Sequence, residues 1–145
     1  MQDRRIFYKF NRAQHLLYRK AEKQLLSALG ITPIQLGVIF FLMENDGCLQ
    51  KRLASGLHLN SPAVTGLVTR MEKAGLLRKE SSKKDARGVH VFLTDKARGL
   101  SMIAFPLLKQ FNKQITQGFT ESEIDTVLRF FESIIERLSK DAPDA

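Results

Sequence analysis

Between Leu49 and Leu93 the spacing of apolar residues changes once, from steps of three and four to steps of two. Leu49, Leu53 and Leu57 recur every fourth residue over a short helix of about Leu49–Leu57, and Val64, Leu67, Val68 and Met71 form the buried stripe of the next. His58-Leu59-Asn60 leaves only a tight turn between them, so the pair reads as a helix-turn-helix. Ser61 is the expected N-cap of the second helix, Pro62 its first position, and Gly75 its end. Beyond Gly75, Leu77-Arg78-Lys79-Glu80 is a candidate strand, and Val89, Val91 and Leu93 alternate with His90 and Phe92 in another. Ser81 to Gly88 makes a long polar tip. A hairpin directly after a helix-turn-helix is a wing. The expected fold is mainly α with a small β-hairpin wing, a winged helix-turn-helix flanked by further helices.

The flanks carry their own signals. Ile6, Phe10, Ala13, Leu17, Ala21 and Leu25 predict a helix over 4–29, stopped by Gly30. Thr32, Pro33 and Gln35 predict a capping box, with Ile31 and Leu36 as a staple. The run Leu36, Val38, Ile39, Phe40, Phe41, Leu42 is apolar nearly all round, so this helix should be central. Asn45-Asp46-Gly47 ends it. Thr94 is expected to cap a helix bearing Leu100, Ile103, Ala104, Leu107, Leu108, Phe111 and Ile115, with a kink at Pro106. Thr120 and Glu123 predict a second capping box before a final helix of roughly 121–139, whose apolar face is Ile124, Val127, Leu128, Phe131, Ile135 and Leu138. The last five residues read as a frayed tail.

The chain thus reads as one unit, 1–145. Residues 30–95 form the winged part, and 1–29 with 96–140 form helical arms. The middle domain is too small to cover the apolar stripes of those arms, which would be large exposed patches on a lone chain. A homodimer is therefore expected. It would also set two reading heads about 34–36 Å apart, one turn of duplex DNA.

Charge points the same way. Residues 49–98 hold eleven Lys or Arg against four Asp or Glu, a net +7; residues 1–48 carry +3 and 99–145 carry −2. A basic centre between nearly neutral arms suits a polyanion, although a solvated basic surface is an equal reading of charge alone.

The residues for such a partner are on the helix from Ser61 to Gly75. Its buried stripe turns Ala63, Thr65, Gly66, Thr69, Arg70 and Lys73 outward, with Ser61 and Pro62 at its start. Small residues let a helix lie deep in the major groove; Thr and Ala methyls can touch thymine, and Arg70 can reach a guanine or a phosphate. The alternative is an ordinary solvated face. On the wing, Lys83 and Lys84 would neutralise phosphates, Arg87 would suit a narrow minor groove, and Asp85 would hold an arginine in place. The alternative there is a charged hairpin without a ligand.

Other chemistry finds little support. His15, His58 and His90 lie on separate elements, with no partners at metal-ligand spacing, so no metal is expected. There is no Gly-rich phosphate loop or nucleophile elbow, so neither a cofactor nor an enzyme is expected. His15 and Arg19, one turn apart, could hold an anionic effector, although a solvated or interface pair fits as well. Cys48 is the one cysteine, which excludes a disulfide within the chain and fits a reducing cytosol. It reads as a small core residue before a redox one. No apolar run approaches the length of a membrane span, and the first residues lack a secretory pattern, so no membrane partner is expected.

The ordered set resembles the MarR family of bacterial transcription regulators. The resemblance rests on Leu53-Ala54, on Ser61-Pro62-Ala63-Val64-Thr65 through Arg70-Met71-Glu72-Lys73-Ala74-Gly75-Leu76-Leu77-Arg78, on the Asp85-Ala86-Arg87 wing element, and on Val91-Phe92-Leu93-Thr94-Asp95-Lys96-Ala97. It implies a homodimer built by the first and last two helices, pseudo-palindromic operators in double-stranded DNA, and repression relieved by a small phenolic or anionic effector lying between the dimer and DNA-binding parts. Peroxide-sensing members carry a cysteine in the first helix, which this chain lacks. Two other readings stay open: an architectural binder without sequence preference, and a winged-helix module for an acidic protein. The hydroxylic face of the 61–75 helix favours sequence reading, since a purely electrostatic binder would carry Lys or Arg there.

Overall fold

The computed structural model describes residues 5–84 and 88–141, the side chain of residue 141 excepted. In chain order it contains α1 (Ile6–Leu29), α2 (Pro33–Asn45), α3 (Gln50–Gly56), α4 (Ser61–Lys73), β1 (Leu77–Ser81), β2 (Val89–Leu93), α5 (Asp95–Ile115) and α6 (Glu121–Asp141). The chain divides into two compact units, one running to Phe105 and one from Pro106 onward. No single helix among the described residues is long and apolar enough to cross a membrane.

In the first unit, α2 is the hub. Its start is the expected capping box: Thr32 Oγ1 accepts from Gln35 N, and Gln35 Oε1 accepts from Thr32 N. Val38, Ile39 and Leu42 have no exposed surface, and Leu36 is buried with them. Phe41 lies so close to Gly56 of α3 that a Cβ there would sit 2.1 Å from its ring. Only a glycine lets α3 approach α2 this closely. Leu53, Val64, Val68, Met71 and Val91 are fully buried, so α3, α4 and the hairpin share one core with α2.

The hairpin pairs antiparallel in the register Leu77 with Leu93 and Ser81 with Val89. The loop after α2 adds to it. Gly47 N donates to Val91 O, Val91 N donates to Cys48 O, and Leu49 bridges to His90. The His90 ring nitrogen Nδ1 also lies 2.8 Å from Gly47 O. Gly47 has φ +76, and a Cβ on it would come within 2.7 Å of the Phe92 ring. Both conditions select glycine.

α5 is capped by Thr94, whose Oγ1 accepts from Ala97 N. Its first half buries Ala97, Ser101 and Ala104. The backbone stays helical through Pro106.

In the second unit, α6 opens on the expected box between Thr120 and Glu123. Hydrogen bonds from Thr120 hold the Glu123 carboxyl below its usual range. Its apolar face is open in the single chain: Val127, Leu128, Phe131, Ile135 and Leu138 are exposed, and Ile124 is half-buried. α1 behaves likewise, burying only Leu25 of its stripe and leaving Ile6, Phe10 and Leu17 open.

Candidate nucleic-acid interface

α4 is built by a cap, a proline and a stripe. Asn60, not Ser61, is the N-cap: its side-chain oxygen accepts from Ala63 N at 2.9 Å, and Ser61 becomes the first helical residue with Pro62 behind it. Asn and Ser cap equally well, so adjacent candidates cannot be ranked from their identities. The stripe of Val64, Leu67, Val68 and Met71 is buried to 4% exposure or less. It turns Ser61, Pro62, Ala63, Thr65, Arg70 and Lys73 to solvent and leaves Gly66 and Thr69 half-buried.

The threonine hydroxyls on this face are already engaged. Thr65 Oγ1 donates to Ser61 O at 2.9 Å, and Thr69 Oγ1 donates to Thr65 O at 2.8 Å. Gln50 Nε2 donates to Thr65 Oγ1 at 3.1 Å, tying α3 to α4. The cations of the face, Arg70 and Lys73, sit in the last turn, where they also complement the helix dipole. A Cβ on Gly66 would lie 3.2 Å from Arg70 Nη1, so the bare backbone at Gly66 is where the guanidinium rests.

The far end of α4 is held from behind. Lys96 Nζ donates to Ala74 O at 2.8 Å and Thr94 Oγ1 donates to Gly75 O at 2.6 Å. Lys79 of β1 faces Glu72 of α4 at 3.5 Å, which links wing and helix directly. On the wing, the Arg78 guanidinium lies 4.5 Å from the centre of the Phe92 ring and pairs with Glu80. Ser82 N donates to Gly88 O at the base of the tip. Lys83 and Lys84 are exposed there, whereas Asp85 and Arg87 lie outside the described residues. A cleft of about 250 Å³ opens between α3, the start of α4 and the wing root, lined by Gln50, Lys51, Ser61, Val64 and Val89 among others.

The remaining candidates stand apart from this surface's chemistry. His15 and Arg19 are exposed on α1. Cys48 is half-buried, and burial pushes its thiol up against the opposing pull of Arg52. Among the described residues no group of three His, Cys, Asp or Glu could hold a metal ion. The amino-acid order gives no partners for Gln50, Asp46, Lys96 and Arg98, which pair with residues 15 to 52 positions away. No local pattern announces such pairings.

Residues 29–88 match the sequence model of the MarR family. The chain is 37% identical over 83 residues to the HTH-type transcriptional regulator TtmR of Methylorubrum extorquens, a match covering 57% of this chain and 43% of that protein. The chain thus spans less than half the length of that relative. It resembles the crystal structure of a MarR family transcriptional regulator from Streptomyces coelicolor in complex with DNA, with TM-score 0.85 and 21% identity over 94% of this chain and 87% of that one. A similar fold is found in an organohalide-sensing transcriptional regulator in its 2,4-dichlorophenol-bound form, with TM-score 0.82 and 20% identity over 91% and 78% of the two chains.

Proposed function

We propose that the chain is a member of the MarR family and a sequence-specific duplex-DNA-binding regulator of transcription, acting as a homodimer, as the match over residues 29–88 supports. The observation that carries this reading is the outward face of α4. Its four stripe residues are anchored in the core, so Ala63, Thr65, Gly66 and Thr69 form a low relief that a major groove can accept. Arg70 stands at the far end of that relief for a guanine edge or a phosphate. Lys51 and Ser61 at the start of α4 line the cleft beside this relief, where a cation and a hydroxyl suit the phosphate backbone. Lys83 and Lys84 extend the positive surface onto the wing, where Arg87 would suit a narrow minor groove and Asp85 would hold an arginine in place.

Dimerisation is supported by the exposed side chains of α1 and α6. Phe7 is 83% exposed, Ile135 61% and Leu138 63%, amid further open apolar residues on both helices. Patches of this kind are rare on monomers and are covered in assemblies. Repression, a cytoplasmic setting and release by a small anionic or phenolic effector belong to the same proposal, the last suggested by the dichlorophenol bound to the structural neighbour. Neither a cofactor nor a catalytic step is part of it.

In vitro selection of duplex DNA by the full-length protein tests the reading. The expected product is an inverted repeat with half-sites centred about 10 base pairs apart. Binding with the usual salt dependence but no enriched sequence would favour an architectural binder, and absence of DNA binding would favour a protein-interaction module.

A further inference from the structure

Gln50 opens α3, and its amide nitrogen reaches across to Thr65 on α4 at 3.1 Å. Thr65 Oγ1 in turn donates to Ser61 O at 2.9 Å. A hydroxyl has one proton. Because Ser61 O takes it, the Gln50 amide must present nitrogen rather than oxygen to Thr65, which fixes its orientation as well. The Thr65 hydroxyl is therefore held from two sides, by its own helix and by the preceding one. Thr65 nonetheless remains exposed. Thr69, one turn on, makes the same bond to its own backbone, and the hydrogen bonds described give it no second anchor from another helix.

A freely rotating hydroxyl can donate to one base and accept from another, and so discriminates poorly. A hydroxyl whose proton is committed does not donate to guanine N7 or O6, adenine N7 or thymine O4. With its proton spent on Ser61 O and one of its two lone pairs on Gln50, Thr65 keeps a single acceptor site and its methyl group for a base edge. The complement of a methyl in the major groove is the C5-methyl of thymine. Building on the DNA-binding reading above, we infer that Gln50 is a positioning residue that acts through Thr65 to make α4 select a 5-methylpyrimidine in each half-site. Thr65 touches the base; Gln50 fixes which of its groups does so.

The test uses the full-length protein and the duplex recovered by selection, with each thymine replaced in turn by deoxyuridine. That change removes one methyl and keeps base pairing. One thymine per half-site is expected to lose about fourfold in affinity when replaced, the worth of one methyl-sized apolar contact. Thr65→Ser is expected to abolish that loss and Thr65→Val to retain it. Gln50→Ala, and the near-isosteric Gln50→Glu that cannot donate to Thr65, are expected to shrink the loss to under twofold. The slope of log affinity against log salt should stay unchanged in Gln50→Ala, since no phosphate contact is removed. In the Thr65→Val background, Gln50→Ala should leave the deoxyuridine profile unaltered, because no hydroxyl remains to be held. A deoxyuridine profile that is the same in the parent and in both Gln50 variants overturns the inference, as does a loss that survives Thr65→Ser. A protein that selects a sequence but is indifferent to every thymine methyl overturns this inference alone; one that selects no sequence overturns the DNA reading beneath it.

Discussion

Asp46 and Arg98 meet at 2.7 Å, Oδ2 to Nη2, joining the end of α2 to the first turns of α5. The second Asp46 oxygen accepts from Leu93 N at 2.8 Å, where the second wing strand ends. One carboxylate thus fixes the wing's exit against two helices. The ion pair itself is half-exposed, at 35% and 44%, and is worth at most about 1 kcal/mol. The bond to Leu93 N matters more, because removing its acceptor leaves a partly buried donor unsatisfied, at about 1–3 kcal/mol. Asp46→Ala is therefore expected to lower unfolding stability by about 1–3 kcal/mol, and Arg98→Ala by less than about 1 kcal/mol. Denaturant titration of both variants checks the order.

Gly66 separates stability from function. Glycine inside a helix is about 1 kcal/mol worse than alanine, and a Cβ there meets only the flexible end of Arg70. Gly66→Ala is expected to raise stability by up to about 1 kcal/mol while weakening specific DNA binding threefold or more, on the order of a single lost contact in the groove. Thermal melts and anisotropy titrations on one preparation measure both.

Much of this surface is legible in the amino-acid order. The four-residue stripe from Val64 to Met71 specifies which side of α4 is buried, and with it the outward residues. The Thr32–Gln35 and Thr120–Glu123 boxes are read directly because both partners lie within one turn. What escapes is non-local. The bridge from Leu49 to His90 and the bonds of Gly47 and Cys48 to Val91 add the α2–α3 loop to the wing through pairs some forty residues apart. The Gln50–Thr65 bond depends on the α3–α4 crossing, which periodicity does not specify. What covers α6 is not legible either, because an amphipathic stripe announces that a face will be covered and not by which chain.

Cys48 is expected to be a poor thiolate. Its folded pKa is raised, chiefly by burial. Nucleophilicity toward alkylating agents and peroxide follows the thiolate fraction. At pH 7 its alkylation by iodoacetamide should be slower than that of a free cysteine, and mild peroxide should leave DNA binding within twofold. A fast reaction with loss of binding would assign it a sensing role.

Glu123 gives the start of α6 an acid limit. Its folded pKa is lowered from 4.5 by hydrogen bonds from Thr120. A lowered carboxyl contributes stability that is present above its unfolded value and is lost as pH falls through the folded one. The capping box should therefore be intact from neutral pH down to the ordinary carboxylate range and open below it. Carboxyl titration by NMR should place Glu123 below the ordinary glutamate value, and Glu123→Gln should remove the acid-dependent fraying.

The most direct test of the outward α4 face is the affinity of Arg70→Ala for the selected duplex and for its single-base variants at fixed salt. The expected result is a loss of about 5- to 150-fold, about 1–3 kcal/mol, with discrimination flattened at one position in each half-site. Unchanged affinity together with unchanged discrimination at every position would contradict the placement of this face in the major groove.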